Sequence, residues 1–151
     1  MKLVDLVPAE RIYLGVDLSS REQLLDFLAQ RVAELGLVEA PKCERALEER
    51  EQLGSTGLGS GVAIPHARIS GITDPIGMLV TLASPIDFES SDQEPVDVAF
   101  MLLMPEHSGS EQIKVLSHVA KVARDEPVVN ALRQATDPAA AAAILDNADE
   151  G

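Results

Sequence analysis

The sequence predicts an α/β domain in which helices cover both faces of a mixed β-sheet. Helix-like patterns come before, between and after strand-like patterns along the chain, as in layered α/β proteins. The clearest strands span residues 76–82 and 96–104, and the second is nearly continuously apolar toward its end, which indicates cover on both faces. The pattern leaves the strand order open. A chain of 151 residues, 46% of them hydrophobic, fits a single domain over residues 1–151.

Two helices are predicted in the first third of the chain. The first spans about residues 21–35 and ends before Gly36. Its start offers caps and a capping box: Ser19, Ser20, Glu22 and Gln23. Its apolar face comprises Leu24, Leu25, Leu28, Val32 and Leu35. The second helix spans about residues 41–53, and its exposed face carries Glu44, Glu48, Glu49 and Glu51.

A loop with a special backbone path is predicted at residues 54–61, which contain four of the ten glycines. A short strand, residues 62–64, follows the loop and ends at Pro65. After Pro105 we expect a third helix, capped by Ser108 or Ser110 with Glu111, whose apolar stripe is Ile113, Leu116, Ala120 and Ala123. Two short helices begin at Pro127 and at Asp137-Pro138.

The charge of the chain narrows the class of function. A formal net charge of −13 argues against nucleic acid as a partner, and Lys and Arg are scattered rather than clustered.

No apolar run is long enough to span a bilayer, and the N-terminus lacks the apolar core of a secretion signal, so we expect a cytoplasmic protein without membrane insertion. The single cysteine, Cys43, is interpreted as a simple helix residue rather than a catalytic thiolate.

The chemistry-bearing residues concentrate at residues 54–68. Phosphoryl transfer depends mainly on positioning and anion stabilisation, which glycines, hydroxyls and an arginine provide. The predicted phosphate loop comprises Gly54, Ser55, Thr56, Gly57 and Ser60, with Arg68 as a permanent charge. His66, fixed by the preceding Pro65, is the candidate nucleophile because imidazole is mostly neutral at cytoplasmic pH.

From these residues alone, two other interpretations stay open. His66 could be an ordinary loop histidine beside turn-forming glycines, since no Gly-Lys-Ser/Thr of a P-loop follows. A metal site is less favoured, because His66, His107 and His118 show no ligand spacing. We therefore expect neither a metal nor a cofactor.

Residues 53–68 resemble the signature of enzyme IIA domains of the fructose–mannitol type in the phosphoenolpyruvate-dependent sugar phosphotransferase system. That signature runs Leu-Gly, a small or polar stretch, Gly, and then Ile/Val-Ala-Ile/Val-Pro-His. The resemblance covers nearly the whole chain, and a compact stand-alone chain is most similar to the nitrogen-related regulatory branch. Further matches are residues 6–12, 85–88, Asp92 with Pro95-Val96, and Leu116-Ser117 with Ala120.

The resemblance implies the IIA mannitol/fructose-type fold and a phosphotransferase that acts as a phosphocarrier, with no small-molecule turnover of its own. His66 matches the phosphorylated histidine, charged by the histidine-containing phosphocarrier HPr or its nitrogen-branch relative. Arg50 matches an active-site arginine, and Arg68 matches a basic or polar position beside the histidine. Gln112 stands where the family often has a second histidine, so we expect it to donate a hydrogen bond but to carry no charge.

Three functions are weighed from the sequence. The first is a regulatory phosphocarrier whose phosphorylation state at His66 determines which target proteins it binds. The second is a component that passes phosphate to a separate IIB domain of a fructose or mannitol transporter. The third is a binding module that has lost phosphoryl chemistry, which only the Gln112 departure favours. His107, in the loop before the third helix, could swing into the site. His118 lies on the third helix about two turns beyond Gln112 and is not expected to substitute.

Overall fold

Six strands form one mixed sheet in the computed structural model, which describes residues 2–107 and 109–150. The strands are β1 (Ile12–Val16), β2 (Gly57–Gly59), β3 (Val62–Ala63), β4 (His66–Ile69), β5 (Ile76–Ile86) and β6 (Val96–Pro105). The helices are α1 (Leu3–Leu6), α2 (Arg21–Glu34), α3 (Ala40–Gln52), α4 (Ser110–Ala123), α5 (Glu126–Gln134) and α6 (Pro138–Glu150), with a 3-10 helix at Ala9–Arg11. None of the helices in the described residues has the length and the apolar composition of a membrane-spanning segment.

The sheet has the order β1-β5-β6-β3-β2, and β4 also pairs with β6. β5 and β6 are antiparallel, whereas β1 is parallel to β5, and β3 and β4 are parallel to β6. This mixture confirms the predicted mixed sheet. β6 therefore runs through the centre of the fold and supports the start of β4, where the chemistry-bearing residues lie.

Both faces of the sheet are covered by helices, as predicted. Alternate side chains of a strand point to opposite faces, so the opposed pair Met78 and Met101 packs into one cluster. The opposed pair Leu79 and Phe100 packs into the other. The first cluster includes residues of α2 and α3, and the second includes residues of α1, α4, α5 and α6. Because β5 and β6 are buried on both faces, their sequences are almost continuously apolar.

The helix predictions are confirmed in existence and wrong in several details. Ser20 caps α2 by accepting from the backbone N–H of Gln23, and Gln23 accepts in turn from the backbone N–H of Ser19. Gly36 follows the helix with a φ of +72°, which glycine adopts without strain. Leu35, however, is exposed rather than part of the buried face.

Glu51 is the clearest correction to the predicted surfaces. The sequence predicts Glu51 on the exposed acidic face of the second helix, but its side chain is only 6% exposed. Both of its carboxylate oxygens accept hydrogen bonds from Thr56, one from the backbone N–H and one from the hydroxyl. Because Thr56 lies beyond the end of the helix, the periodicity of α3 carries no sign of this pairing.

The third helix is rotated relative to its predicted apolar stripe. Ile113 is 69% exposed, whereas Val119 and Val122 are buried in the core. Ser110 is the first helical residue and not the cap, a position that Gly109 occupies without a side-chain hydrogen bond. Ser108, the other predicted cap, lies outside the described residues.

Candidate functional site

His66 begins β4 immediately after Pro65, and β6 holds both residues in place. The backbone N–H of Leu102 donates to the Pro65 carbonyl oxygen at 2.9 Å, and Leu102 stands opposite His66 in the parallel ladder. Alternation along β4 places His66 and Arg68 on one face, while Ala67 between them is buried on the other. A short parallel strand thus presents a half-buried imidazole beside an exposed guanidinium.

The His66 ring has a defined tautomer. Its Nδ1 atom lies 2.7 Å from the carbonyl oxygen of Ile64. A carbonyl oxygen only accepts, so Nδ1 must carry the proton and donate it. In the neutral ring, Nε2 therefore keeps its lone pair, which is the electronic requirement for a nucleophile.

The environment of the ring favours its neutral form. Partial burial lowers the pKa of His66, and the positive charge of Arg50 lowers it further. The hydrogen bond to Ile64 and the charge of Glu51 raise the pKa, without cancelling the effect of burial. An ordinary histidine has a pKa near ~6.5. Because the pKa of His66 lies below that, the ring is predominantly neutral at pH 7.

Two hollows meet at His66, and both are lined by His66, Arg50 and Leu116. The first, which we call the apolar hollow, has a volume of about 480 Å³ and lies between α3, β4 and α4. Glu49, Arg68 and Gln112 are its other polar lining residues, and the remaining apolar part of its wall comprises Ala46, Leu53, Ala67, Met104 and Ile113. Leu53 is 85% exposed, so this hollow opens between apolar side chains that face solvent.

The second hollow, which we call the basic hollow, has a volume of about 580 Å³. Three cationic residues line it, Arg50, Lys121 and Arg124, and none of its described lining residues is acidic. In a chain of net charge −13, this is a local reversal of sign. Sequence reasoning missed Lys121 and Arg124; their spacing of three residues near the end of α4, beside Ser117, was the available signal.

The other histidines lie elsewhere. His107 is exposed and lines neither of these two hollows. His118 Nε2 lies 2.7 Å from Asp149 Oδ1, which fastens α4 to α6. Gln112 does line the apolar hollow, but its Nε2 donates to the Pro105 carbonyl oxygen at 2.7 Å, so one of its two N–H donors is already engaged.

The predicted phosphate loop is only partly brought to His66. Ser55, Thr56 and Gly57 line the basic hollow, whereas Gly54 and Ser60 do not. Gly54 instead uses its carbonyl oxygen to accept from Arg50 Nη1 at 2.8 Å. Ser60 lies at the turn between β2 and β3, where its backbone N–H donates to Asp92.

The hydroxyls of this loop are committed to the protein itself. Ser55 Oγ donates to the Phe88 carbonyl oxygen at 2.9 Å, and Thr56 Oγ1 donates to Glu51. The backbone N–H groups of Thr56 and Gly57 donate to Glu51 and to Ser55 Oγ. A hydroxyl has a single proton, and in this structure Ser55 and Thr56 each donate theirs to a protein oxygen; their donation to a phosphate stays a prediction. The cationic side chains and the Ser117 hydroxyl also line the basic hollow and can donate to an anion there.

Comparison with known proteins gives the same assignment along almost the entire chain. Residues 5–148 match the family described as "Phosphoenolpyruvate-dependent sugar phosphotransferase system, EIIA 2". The chain is similar to a nitrogen regulatory protein of Bradyrhizobium diazoefficiens, with 38% identity over 145 residues that cover 96% of this chain and 95% of that protein. It is also similar to a nitrogen regulatory protein of Pseudomonas aeruginosa, with 35% identity over 100% of this chain and 99% of that protein.

The fold agrees with these relatives. The crystal structure of nitrogen regulatory protein IIA-Ntr from Neisseria meningitidis superposes with a TM-score of 0.89 at 30% identity, covering 95% of this chain and 98% of that one. The mannitol enzyme IIA of Escherichia coli, solved in complex with phosphorylated enzyme IIB, shares the fold with a TM-score of 0.76 at 19% identity, covering 92% and 96%. The chain belongs to the EIIA 2 family of the phosphoenolpyruvate-dependent sugar phosphotransferase system, whose members are phosphotransfer proteins.

Proposed function

We propose that this protein is a regulatory phosphocarrier that accepts a phosphoryl group on Nε2 of His66. The donor is the phosphohistidine of an HPr-like phosphocarrier. The observation that carries this proposal is the hydrogen bond from His66 Nδ1 to the Ile64 carbonyl oxygen, because it leaves the other ring nitrogen unprotonated. The lowered pKa of His66 keeps the ring in this form at neutral pH.

The transfer needs no water and no further reactant. The Nε2 lone pair attacks the phosphorus atom, a new N–P bond forms, and the N–P bond of the donor breaks. The electron pair of that bond returns to the imidazole of the donor. The ring of His66 gains positive charge as it reacts, and the Ile64 carbonyl oxygen stabilises that charge through the proton on Nδ1.

The cationic residues around His66 supply the anion stabilisation. Arg50 lines both hollows, and its Nη1 is held by Gly54, which leaves the rest of the guanidinium fork for phosphoryl oxygens. Arg68 lines the apolar hollow, and Lys121 lines the basic one. Phosphoryl transfer requires little other than positioning and charge stabilisation, so these groups suffice without a second histidine.

Phosphorylation would change the surface that partner proteins meet. The phosphoryl group adds up to two negative charges next to Arg50, Lys121 and Arg124. The local positive potential is then neutralised, while the exposed side chains of Leu53 and Ile113 remain available for contact. A partner that recognises the cationic surface would be released, and one that requires the phosphoryl group would bind.

The regulatory role is favoured by the relatives of similar length, which are named nitrogen regulatory proteins. We further propose that residues 1–151 act as one domain in the cytoplasm, where the phosphocarrier is available. Transfer to a separate IIB transporter domain is the alternative destination; the mannitol enzyme IIA of Escherichia coli has been solved in complex with phosphorylated enzyme IIB.

The test is to label the protein with a phosphocarrier charged by phosphoenolpyruvate. We expect one phosphoryl group per chain, labile in acid and stable in alkali, as a phosphoramidate is. Subsequent addition of a purified fructose or mannitol IIB domain should leave the label in place. Discharge onto IIB would move the assignment to the transporter component, and failure of the intact protein to be labelled would make it a binding module without phosphoryl chemistry.

A further inference from the structure

Glu51 is a buried acid for which the function proposed above has no use. It is 6% exposed, at the C-terminal end of α3, and it lines neither the apolar nor the basic hollow. A buried carboxylate costs free energy unless hydrogen bonds satisfy it. Thr56 satisfies both oxygens: the backbone N–H donates to Oε2 at 3.2 Å and the hydroxyl donates to Oε1.

The hydrogen bonds continue from Thr56 to the reactive ring. The Thr56 carbonyl oxygen accepts from the backbone N–H of Ile64 at 3.0 Å. The Ile64 carbonyl oxygen accepts from His66 Nδ1 at 2.7 Å. Thr56 and Ile64 are 6% and 2% exposed, so little water competes for these bonds. Glu51, Thr56, Ile64 and His66 thus form a continuous chain of buried or half-buried polar groups.

We propose that Glu51 is a positioning residue for His66, which acts through Thr56 and Ile64 to hold the ring in its Nδ1-protonated tautomer. The inference rests on the proposed function, because it assigns Glu51 a part in making Nε2 the nucleophile. Glu51 touches no reacting atom. It fixes the loop between α3 and β3, and that loop fixes the carbonyl oxygen that selects the tautomer.

A carboxylate is suited to this position because it only accepts. Each carboxylate oxygen accepts one hydrogen bond from Thr56. Neither oxygen carries a proton, so the hydrogen bond with the Thr56 hydroxyl cannot reverse its direction. A glutamine would replace one accepting oxygen by a donor and would remove the charge. Polar groups in a chain of hydrogen bonds polarise one another, so a change at Glu51 is transmitted toward Ile64.

The charge of Glu51 has a second effect on the same ring. It raises the pKa of His66, against the lowering by burial and by Arg50. Glu51 therefore moderates the loss of basicity that burial imposes and leaves Nε2 a better nucleophile than it would be beside Arg50 alone. The pKa of His66 is therefore a second measurable quantity that tests the inference, separate from the rate of phosphorylation.

The experiment compares the Glu51→Gln variant with Glu48→Gln, an exposed acid of the same helix that lines neither hollow. The ¹⁵N shifts of the His66 ring are followed by NMR through a pH titration, and phosphorylation is measured at several phosphocarrier concentrations. In Glu51→Gln we expect a smaller population of the Nδ1-protonated tautomer and a further lowering of the pKa of His66. Because a small misplacement of a reacting group is costly, the rate at saturating donor should fall roughly ten- to hundredfold. The half-saturating donor concentration should stay unchanged, and Glu48→Gln should match the wild type in all of these quantities.

The direction of the pKa change separates positioning from simple loss of structure. If Glu51→Gln only loosened the fold, the pKa of His66 would rise toward the ordinary value of about 6.5, because burial is lost. A second variant, Thr56→Ser, keeps the hydroxyl and the backbone, so it should keep the tautomer, whereas Thr56→Val should shift it. Unchanged tautomer and rate in Glu51→Gln would overturn the inference.

The NMR readout also distinguishes this failure from a failure of the proposed function. The tautomer is measured on the unphosphorylated protein and does not depend on labelling. If the wild type takes up no phosphate but Glu51→Gln shifts the tautomer, the positioning by Glu51 stands and the phosphocarrier assignment does not. If the wild type is labelled and the tautomer is the same in both proteins, the phosphocarrier assignment stands and the positioning role of Glu51 does not.

Discussion

A His66→Gln protein takes up no acid-labile phosphate from a charged phosphocarrier, while the wild type is labelled to one group per chain. Glutamine is similar in length to histidine and keeps a polar end in the hollow. Its amide nitrogen has no free lone pair, however, and cannot form the N–P bond. The loss should therefore be complete and not a reduction in rate, because none of the other residues that line the hollows replaces an imidazole.

The matched control for this substitution is His107→Gln. His107 is exposed in the loop before α4 and lines neither hollow, so its replacement should leave labelling at the wild-type rate. Circular dichroism and thermal unfolding should show that both variants are folded. Residual acid-labile label on a folded His66→Gln protein would place the acceptor on another side chain.

Replacement of Arg50 by Met lowers the phosphorylation rate by roughly two to three orders of magnitude, the cost typical of removing one preorganised donor of an oxyanion site. Met retains the length and the apolar stem of the side chain while removing the charge. Among the residues that the structure describes, Arg50 is the one cationic residue that lines both hollows with His66, and the Gly54 carbonyl oxygen holds it in position. The transferring group carries its charge on three oxygens, so the loss falls on the transition state.

The same substitution at Arg45 is the control. Arg45 is exposed on α3 and lines neither hollow. The Arg45→Met substitution removes the same positive charge as Arg50→Met. It should change the rate only through long-range attraction, which salt screens. Quenched time courses of phosphorylation at several phosphocarrier concentrations separate the binding of the phosphocarrier from the transfer of the phosphoryl group. Equal rates for the Arg50→Met and Arg45→Met proteins would mean that Arg50 does not stabilise the transferring group.

The fold could be predicted largely from the sequence because its central elements carry local patterns. β6 is apolar on both faces, and α2 repeats its leucines at helical spacing, so each shows its own environment. β1 and β4 were not predicted. β1 is half-exposed and interrupted by Gly15, and β4 has four residues directly after a proline, so both depend on pairing with distant strands.

The site could be predicted only in part, for a related reason. His66 stands out because it follows a glycine-rich segment, Arg50 is implied only by the resemblance to enzyme IIA domains, and both line the two hollows. The burial of Glu51 and the commitment of the Thr56 hydroxyl depend on a loop path that folds back onto α3. Lys121 lines the same hollow as His66 only because α4 packs beside the sheet. Such contacts join distant segments and leave no periodic signal.

The central claim is that His66 reacts through Nε2 while Nδ1 keeps its proton on the Ile64 carbonyl oxygen. The most direct measurement is the ¹⁵N–³¹P coupling in the phosphorylated, ¹⁵N-labelled protein, which identifies the nitrogen that carries phosphorus. We predict a one-bond coupling to Nε2 of His66, with a protonated Nδ1 that shows none. Phosphorus on Nδ1 of His66 would contradict the claim, since that atom is the donor to Ile64.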